Sequence, residues 1–138
     1  MKRIFADAGY WIALVHPRDP LHTRAQEESA SIADAQVVTS QMVLVEVVNA
    51  FAGQGAVFRQ AASKLAQALK SSPSVSIVQQ TSGQFHQAVA FYEHRADKGW
   101  SLTDCASFII MQQQKISDAL TEDRHFEQAG FKALLRAR

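Results

Sequence analysis

At 138 residues, of which 47% are hydrophobic, 20% charged and 9% aromatic, the chain has the size and composition of one ordinary globular domain spanning residues 1–138. The single Cys105 excludes a disulfide framework and a cysteine-rich zinc site, and 14 basic against 13 acidic side chains give a net charge of +1 that points to no particular partner. Asp7 interrupts the apolar stretch after Met1-Lys2-Arg3, so no export signal is read, no apolar run approaches the ~18 residues of a membrane span, and a cytoplasmic protein with no membrane partner is expected.

Lys2 to Ala6 is predicted as a strand ending at Asp7, and Ala8 to Val15 as a helix stopped by His16-Pro17-Arg18-Asp19-Pro20. Leu21 to Ala35 reads as a polar helix and Val37 to Thr39 as a strand. Gln41 to Ala52 follows as an apolar helix ending at Gly53, where a left-handed cap is easy. Ala56 to Lys70 is an amphipathic helix broken by Pro73, Val75 to Val78 a β-branched strand, and Ser82 to about Arg95 another helix. Beyond the turn Asp97-Lys98-Gly99 come a helix from Ser101 to Gln114, a strand from Asp118 to Thr121, a short helix from Arg124 to Ala129 and a closing strand from Phe131 to Leu135. Strands alternating with helices imply parallel pairing with right-handed crossovers, hence an α/β chain folded as a three-layer α/β/α sandwich around a mainly parallel sheet.

In such sheets ligands gather outside the carboxyl ends of the strands, at a switch point in strand order. Asp7 follows the first strand and Asp123 the fourth, and both also suit the N-cap of the next helix. Glu46 sits in Met42-Val43-Leu44-Val45-Glu46-Val47-Val48, a helix apolar enough to be largely buried, where a carboxylate needs compensation; Asn49 and Gly53 share its stripe. Asp104 stands three residues after Ser101, the spacing of a capping box whose orphan amides also favour an ionised acid. Two carboxylates at ~4 Å repel by about 4 kcal/mol at an effective dielectric of 20, so a cluster of them needs a cation or takes up protons. Oxygen donors select Mg²⁺ or Mn²⁺, ions that accept substrate phosphates as further ligands, which points to phosphodiester hydrolysis without a covalent enzyme intermediate.

These segments resemble the PIN-domain ribonucleases over nearly the whole chain. The match runs from Phe5-Ala6-Asp7-Ala8 through Glu46 to Ser101-Leu102-Thr103-Asp104 and Leu120-Thr121-Glu122-Asp123-Arg124-His125-Phe126. The resemblance implies a PIN-like sandwich in which Asp7, Glu46, Asp104 and Asp123 are catalytic and bind Mg²⁺ or Mn²⁺ for RNA cleavage. Thr103 and Thr121 then stand beside the acids to orient a ligand or water. Many members of this size resemble the toxin of a VapBC-type toxin-antitoxin pair, which implies a small antitoxin partner and a homodimer. Cys105 follows the third acid where alanine is common in the family, and a small thiol packs in the same space.

The alternative is a non-catalytic or stand-alone PIN-like module that binds RNA or protein, against which all four acids speak. A dehalogenase-type site wants an acid where Gly9 stands, and Ala8-Gly9-Tyr10-Trp11 is no phosphate-binding loop. Tyr10 and Trp11 read as core, Asp97 as a turn residue, and His125 as a solvated helix residue, the five histidines lacking zinc-ligand spacing. Arg18, Arg95, Lys98, Arg124, Arg136 and Arg138 are candidate phosphate contacts.

Overall fold

The computed structural model describes residues 1–136. Five strands, β1 (Arg3–Ala6), β2 (Gln36–Ser40), β3 (Val75–Val78), β4 (Asp118–Leu120) and β5 (Lys132–Ala133), form one sheet in the order β3-β2-β1-β4-β5. Every neighbouring pair is parallel, so every connection must cross over. The crossovers are helical: α1 (Ala8–Val15) and α2 (His22–Ser31), α3 (Gln41–Ala50) and α4 (Ala56–Ser71), α5 (Ser82–His94) and α6 (Leu102–Gln113), and finally α7 (Arg124–Gln128). The three-layer α/β/α architecture expected from the alternation is the one observed.

The chain steps from β1 outward to β2 and β3, then returns to the opposite side of β1 for β4 and β5. The reversal leaves a crevice at the carboxyl ends of β1 and β4, the place where open parallel sheets bind ligands. The central strands are sealed on both faces, with Ile4, Phe5, Ala6, Val38, Ala119 and Leu120 all buried, as a parallel sheet between helical layers requires. Thr39 fixes the top of this centre, its hydroxyl donating to the Ala6 carbonyl at 2.9 Å and accepting from Trp11 Nε1 at 3.3 Å. An aromatic chain then holds the later helices in place. Trp100 meets Phe108 edge-on at 5.0 Å, and Phe108 meets Phe126 edge-on at 4.9 Å, so the middle of α6 is packed against α7.

Several boundaries differ from the sequence expectation for identifiable reasons. Gly53 takes no left-handed cap, because α3 ends at Ala50 as Phe51 turns into the core. The positive φ falls instead on Gly55, at +91°, just before α4, and on Gly130 at +96°. The fourth strand stops at Leu120 rather than Thr121, whose side chain turns to two neighbours described below. β5 is only two residues long, yet Leu134 N and Leu135 N still donate to Ala119 O and Thr121 O at 2.9 and 3.0 Å. Nor is α3 largely buried. Val43, Leu44 and Val47 pack inward, whereas Val45 is 58% exposed and Val48 39%, so its outer face is apolar surface rather than core.

Candidate metal centre

An open cleft of about 770 Å³ lies over the switch point, walled by the ends of β1 and β4 and the starts of α1, α6 and α7. Its acidic lining is Asp7, Asp19, Glu46, Asp104, Glu122 and Asp123, against a single permanent cation, Arg124. The four acids singled out in the sequence thus face one space, from four separate segments of chain.

Each is placed by local chemistry. Asp7 follows β1, and its amide donates to Leu120 O at 3.2 Å, joining the ends of β1 and β4. It has the backbone geometry of an N-cap for α1, but its side chain makes no capping bond. One carboxylate oxygen instead accepts the Thr121 hydroxyl at 3.0 Å, and the same hydroxyl oxygen accepts the Asp123 amide at 3.0 Å. Thr121 therefore couples the two strand-end acids. Asp104 is held by the reciprocal capping box at the start of α6: Ser101 N donates to Asp104 Oδ2 at 3.1 Å and Asp104 N to Ser101 Oγ at 3.0 Å. Asp123 caps α7, its Oδ1 accepting from His125 N at 2.9 Å.

Two sequence expectations need correction. Glu46 is exposed rather than enclosed, because it lies on the water-facing side of α3 beside Asn49; its place on the cleft wall comes from where α3 packs, not from burial among apolar neighbours. His125 is not a solvated helix residue. Its Nδ1 lies 3.0 Å from Asp104 Oδ2 and 3.2 Å from Asp123 Oδ1, and the three side chains could hold one ion between them. Nothing in the spacing of the histidines announces this, since the partner acid Asp104 is 21 positions away. Thr103 is buried in α6 and does not line the cleft. Tyr10 and Trp11 are core, each 4% exposed. Of the candidate phosphate contacts, Arg95 pairs with Asp97 and covers Trp100, and Arg136 pairs with Glu127; Arg138 lies outside the described residues. Arg124 is exposed on the cleft wall with no ion-pair partner among the described residues.

The electrostatics record the crowding. Burial pushes the Asp7 carboxyl from 3.8 up to about 7, and the charges of Asp104 and Glu46 push the same way, against the Thr121 and Ala8 donors. A cation among these carboxylates would reverse that penalty, so the donor set fits a hard divalent ion held by oxygen.

The PIN domain family matches residues 4–132. The chain belongs to the PIN-domain family. This PIN domain is 30% identical over 131 residues to the "23S rRNA-specific endonuclease VapC20" of Mycobacterium tuberculosis strains CDC 1551 / Oshkosh and ATCC 25618 / H37Rv, an alignment covering 93% of this chain and 95% of theirs. Among solved structures, the crystal structure of M. tuberculosis VapC20, described as a sarcin-ricin loop cleaving toxin, superposes with a TM-score of 0.82 at 29% identity, covering 93% of this chain and 95% of that one. With the family comes the chemistry: the chain is a metal-dependent endoribonuclease, and the names of these relatives give 23S rRNA and the sarcin-ricin loop as what those proteins cut. No helix among the described residues is long and apolar enough to cross a membrane.

One consequence of the raised Asp7 carboxyl is measurable. With Asp7 among its ligands, an ion displaces the proton that Asp7 holds below about pH 7, and affinity for Mn²⁺ is then expected to rise about tenfold per pH unit up to neutrality and level off above it. Isothermal titration calorimetry between pH 5.5 and 8.5 measures this, and a flat profile would remove Asp7 from the binding set.

Proposed function

We propose that this PIN domain is the toxin of a type II toxin-antitoxin pair, a cytoplasmic Mg²⁺- or Mn²⁺-dependent endoribonuclease that cuts ribosomal RNA and works as a homodimer until a small antitoxin blocks its acidic cleft. The observation that carries this reading is the meeting of Asp7, Glu46, Asp104 and Asp123 on one cleft; the relationship to VapC20 supports the choice of RNA and of the toxin role. In this reading residues 1–138 form one functional unit.

Asp7, Asp104 and Asp123 are the residues that hold the ion, with their carboxylates fixed by Thr121, by the Ser101 box and by the α7 cap. A divalent ion held there supplies Lewis acidity, lowering the pKa of water and polarising the phosphodiester. Glu46, exposed on the cleft wall and tied to no neighbour among the described residues, orients the attacking water and accepts its proton. Thr121 keeps Asp7 and Asp123 in register, and Thr103 acts only by packing the first turn of α6. Arg124 meets the incoming phosphate, since an acid-rich cleft repels RNA wherever no cation intervenes.

Two measurements test this. Purified protein incubated with naked ribosomal RNA and Mn²⁺ is expected to give discrete cuts, mapped by primer extension and abolished by a chelator. Intact product on every RNA offered would favour the non-catalytic binding module. Arg124→Ala is expected to lower kcat/KM by about ten- to a hundredfold with Mn²⁺ affinity unchanged. An equal loss of metal affinity would show that Arg124 shapes the site rather than meeting the substrate.

A further inference from the structure

The hydrogen bonds around Asp104 and Asp123 divide the two oxygens of each carboxylate. Asp104 Oδ2 accepts from Ser101 N at 3.1 Å and faces His125 Nδ1 at 3.0 Å. Asp123 Oδ1 accepts from His125 N at 2.9 Å and faces the same Nδ1 at 3.2 Å. Asp104 Oδ1 and Asp123 Oδ2 have no hydrogen-bond partner among the described residues. A carboxylate oxygen is an acceptor, so the ring nitrogen that bonds Asp104 Oδ2 has to be the donor, which puts a proton on Nδ1 even in a neutral imidazole; the 3.2 Å approach to Asp123 is an electrostatic contact.

From this arrangement we infer that His125 is a positioning residue: its Nδ1–H holds Asp104 and its backbone N–H holds Asp123, so one residue ties the backs of both acids and leaves their other oxygens to an ion. The inference rests on reading the cleft as a metal centre and adds to it the group that sets the spacing of two ligands. Without a donor between them, two carboxylates brought this close separate by rotation of their side chains, and each ion bound must first regather them. A brace of this kind acts through the ligand rather than on the metal, and losing such a partner lowers metal affinity by about ten- to a hundredfold. It also explains why the imidazole sits half-buried against two acids from different elements rather than in water.

The test uses the full chain and Mn²⁺, with free ion followed by electron paramagnetic resonance. His125→Ala is expected to weaken Mn²⁺ binding by about ten- to a hundredfold. His125→Asn is expected to stay within about threefold of wild type, because the Asn amide nitrogen takes the place of Nδ1; His125→Gln, whose amide corresponds to Nε2, should resemble the Ala variant. Long-range proton–nitrogen spectra of the metal-free protein at pH 8 should show the Nδ1-protonated tautomer. Wild-type affinity in His125→Ala, or the opposite tautomer, would overturn the brace. Asn as weak as Ala in a variant that melts normally would overturn it too, making the imidazole itself a ligand. Asp104→Asn serves as the control: if that variant keeps its ion, the metal-centre reading fails and not merely the role of His125.

Discussion

Replacing Asp104 by Asn is expected to lower RNA cleavage by on the order of a thousandfold while leaving the fold in place. The two side chains are isosteric, and an Asn oxygen can still accept the Ser101 amide that completes the capping box. What is lost is the charge at the start of α6, on a residue that is only 8% exposed and faces Asp123 across His125. Single-turnover cleavage of ribosomal RNA at saturating Mn²⁺, with circular dichroism and a thermal melt as controls for folding, measures the effect. Cleavage within a few-fold of wild type would place the ion, and the chemistry, elsewhere.

Asp7→Asn is expected to abolish activity to a similar degree and yet to make the metal-free protein more stable. The folded state raises the Asp7 carboxyl from 3.8 to about 7, chiefly by burial. Below the lower value the side chain is protonated in both folded and unfolded chains, and it contributes nothing to pH dependence. Between the two values the unfolded chain ionises and the folded chain does not, so stability falls as pH rises, and above about 7 the loss is complete. At about 1.36 kcal/mol per pH unit this amounts to about 4 kcal/mol. Asn carries no such penalty. The metal-free variant is therefore expected to melt about 8–16 °C above wild type at pH 8 and within about two degrees of it at pH 4. Added Mn²⁺ should narrow the gap at pH 8 by stabilising only the wild type. A variant that melts lower at both pH values would mean that Asp7 is held as a structural anchor, with the Thr121 bond outweighing the crowding.

The strand-end acids were legible because two local rules coincide in them. Asp7 and Asp123 each follow a short apolar strand and precede a helix, and such positions open onto the carboxyl edge of a parallel sheet. The Ser101–Asp104 spacing likewise announced a helix start, and the reciprocal bonds are formed. Glu46 was singled out for a reason that the structure does not support: an apolar sequence around an acid suggested burial, but Val45 and Val48 are exposed on the same helix. Composition within a helix reports how much apolar surface there is, not how much of it another element covers. Thr121 was noticed as a neighbour of acids, but its two hydrogen bonds reach across 114 positions to Asp7 and two to Asp123. Only the pairing of β1 with β4 makes the first of these possible.

Alternation of strand and helix signals sufficed to determine an α/β/α sandwich, from local propensity and from the handedness of parallel crossovers. Residue type and position relative to strand ends named the carboxylates. The reversal of strand order between β1 and β4, the packing that brings α3 and the start of α6 to that crevice, and the insertion of the His125 imidazole between Asp104 and Asp123 were decided by the tertiary structure. Those are contacts between residues far apart along the chain, set by the closing of one shared core, and no window of sequence contains both partners.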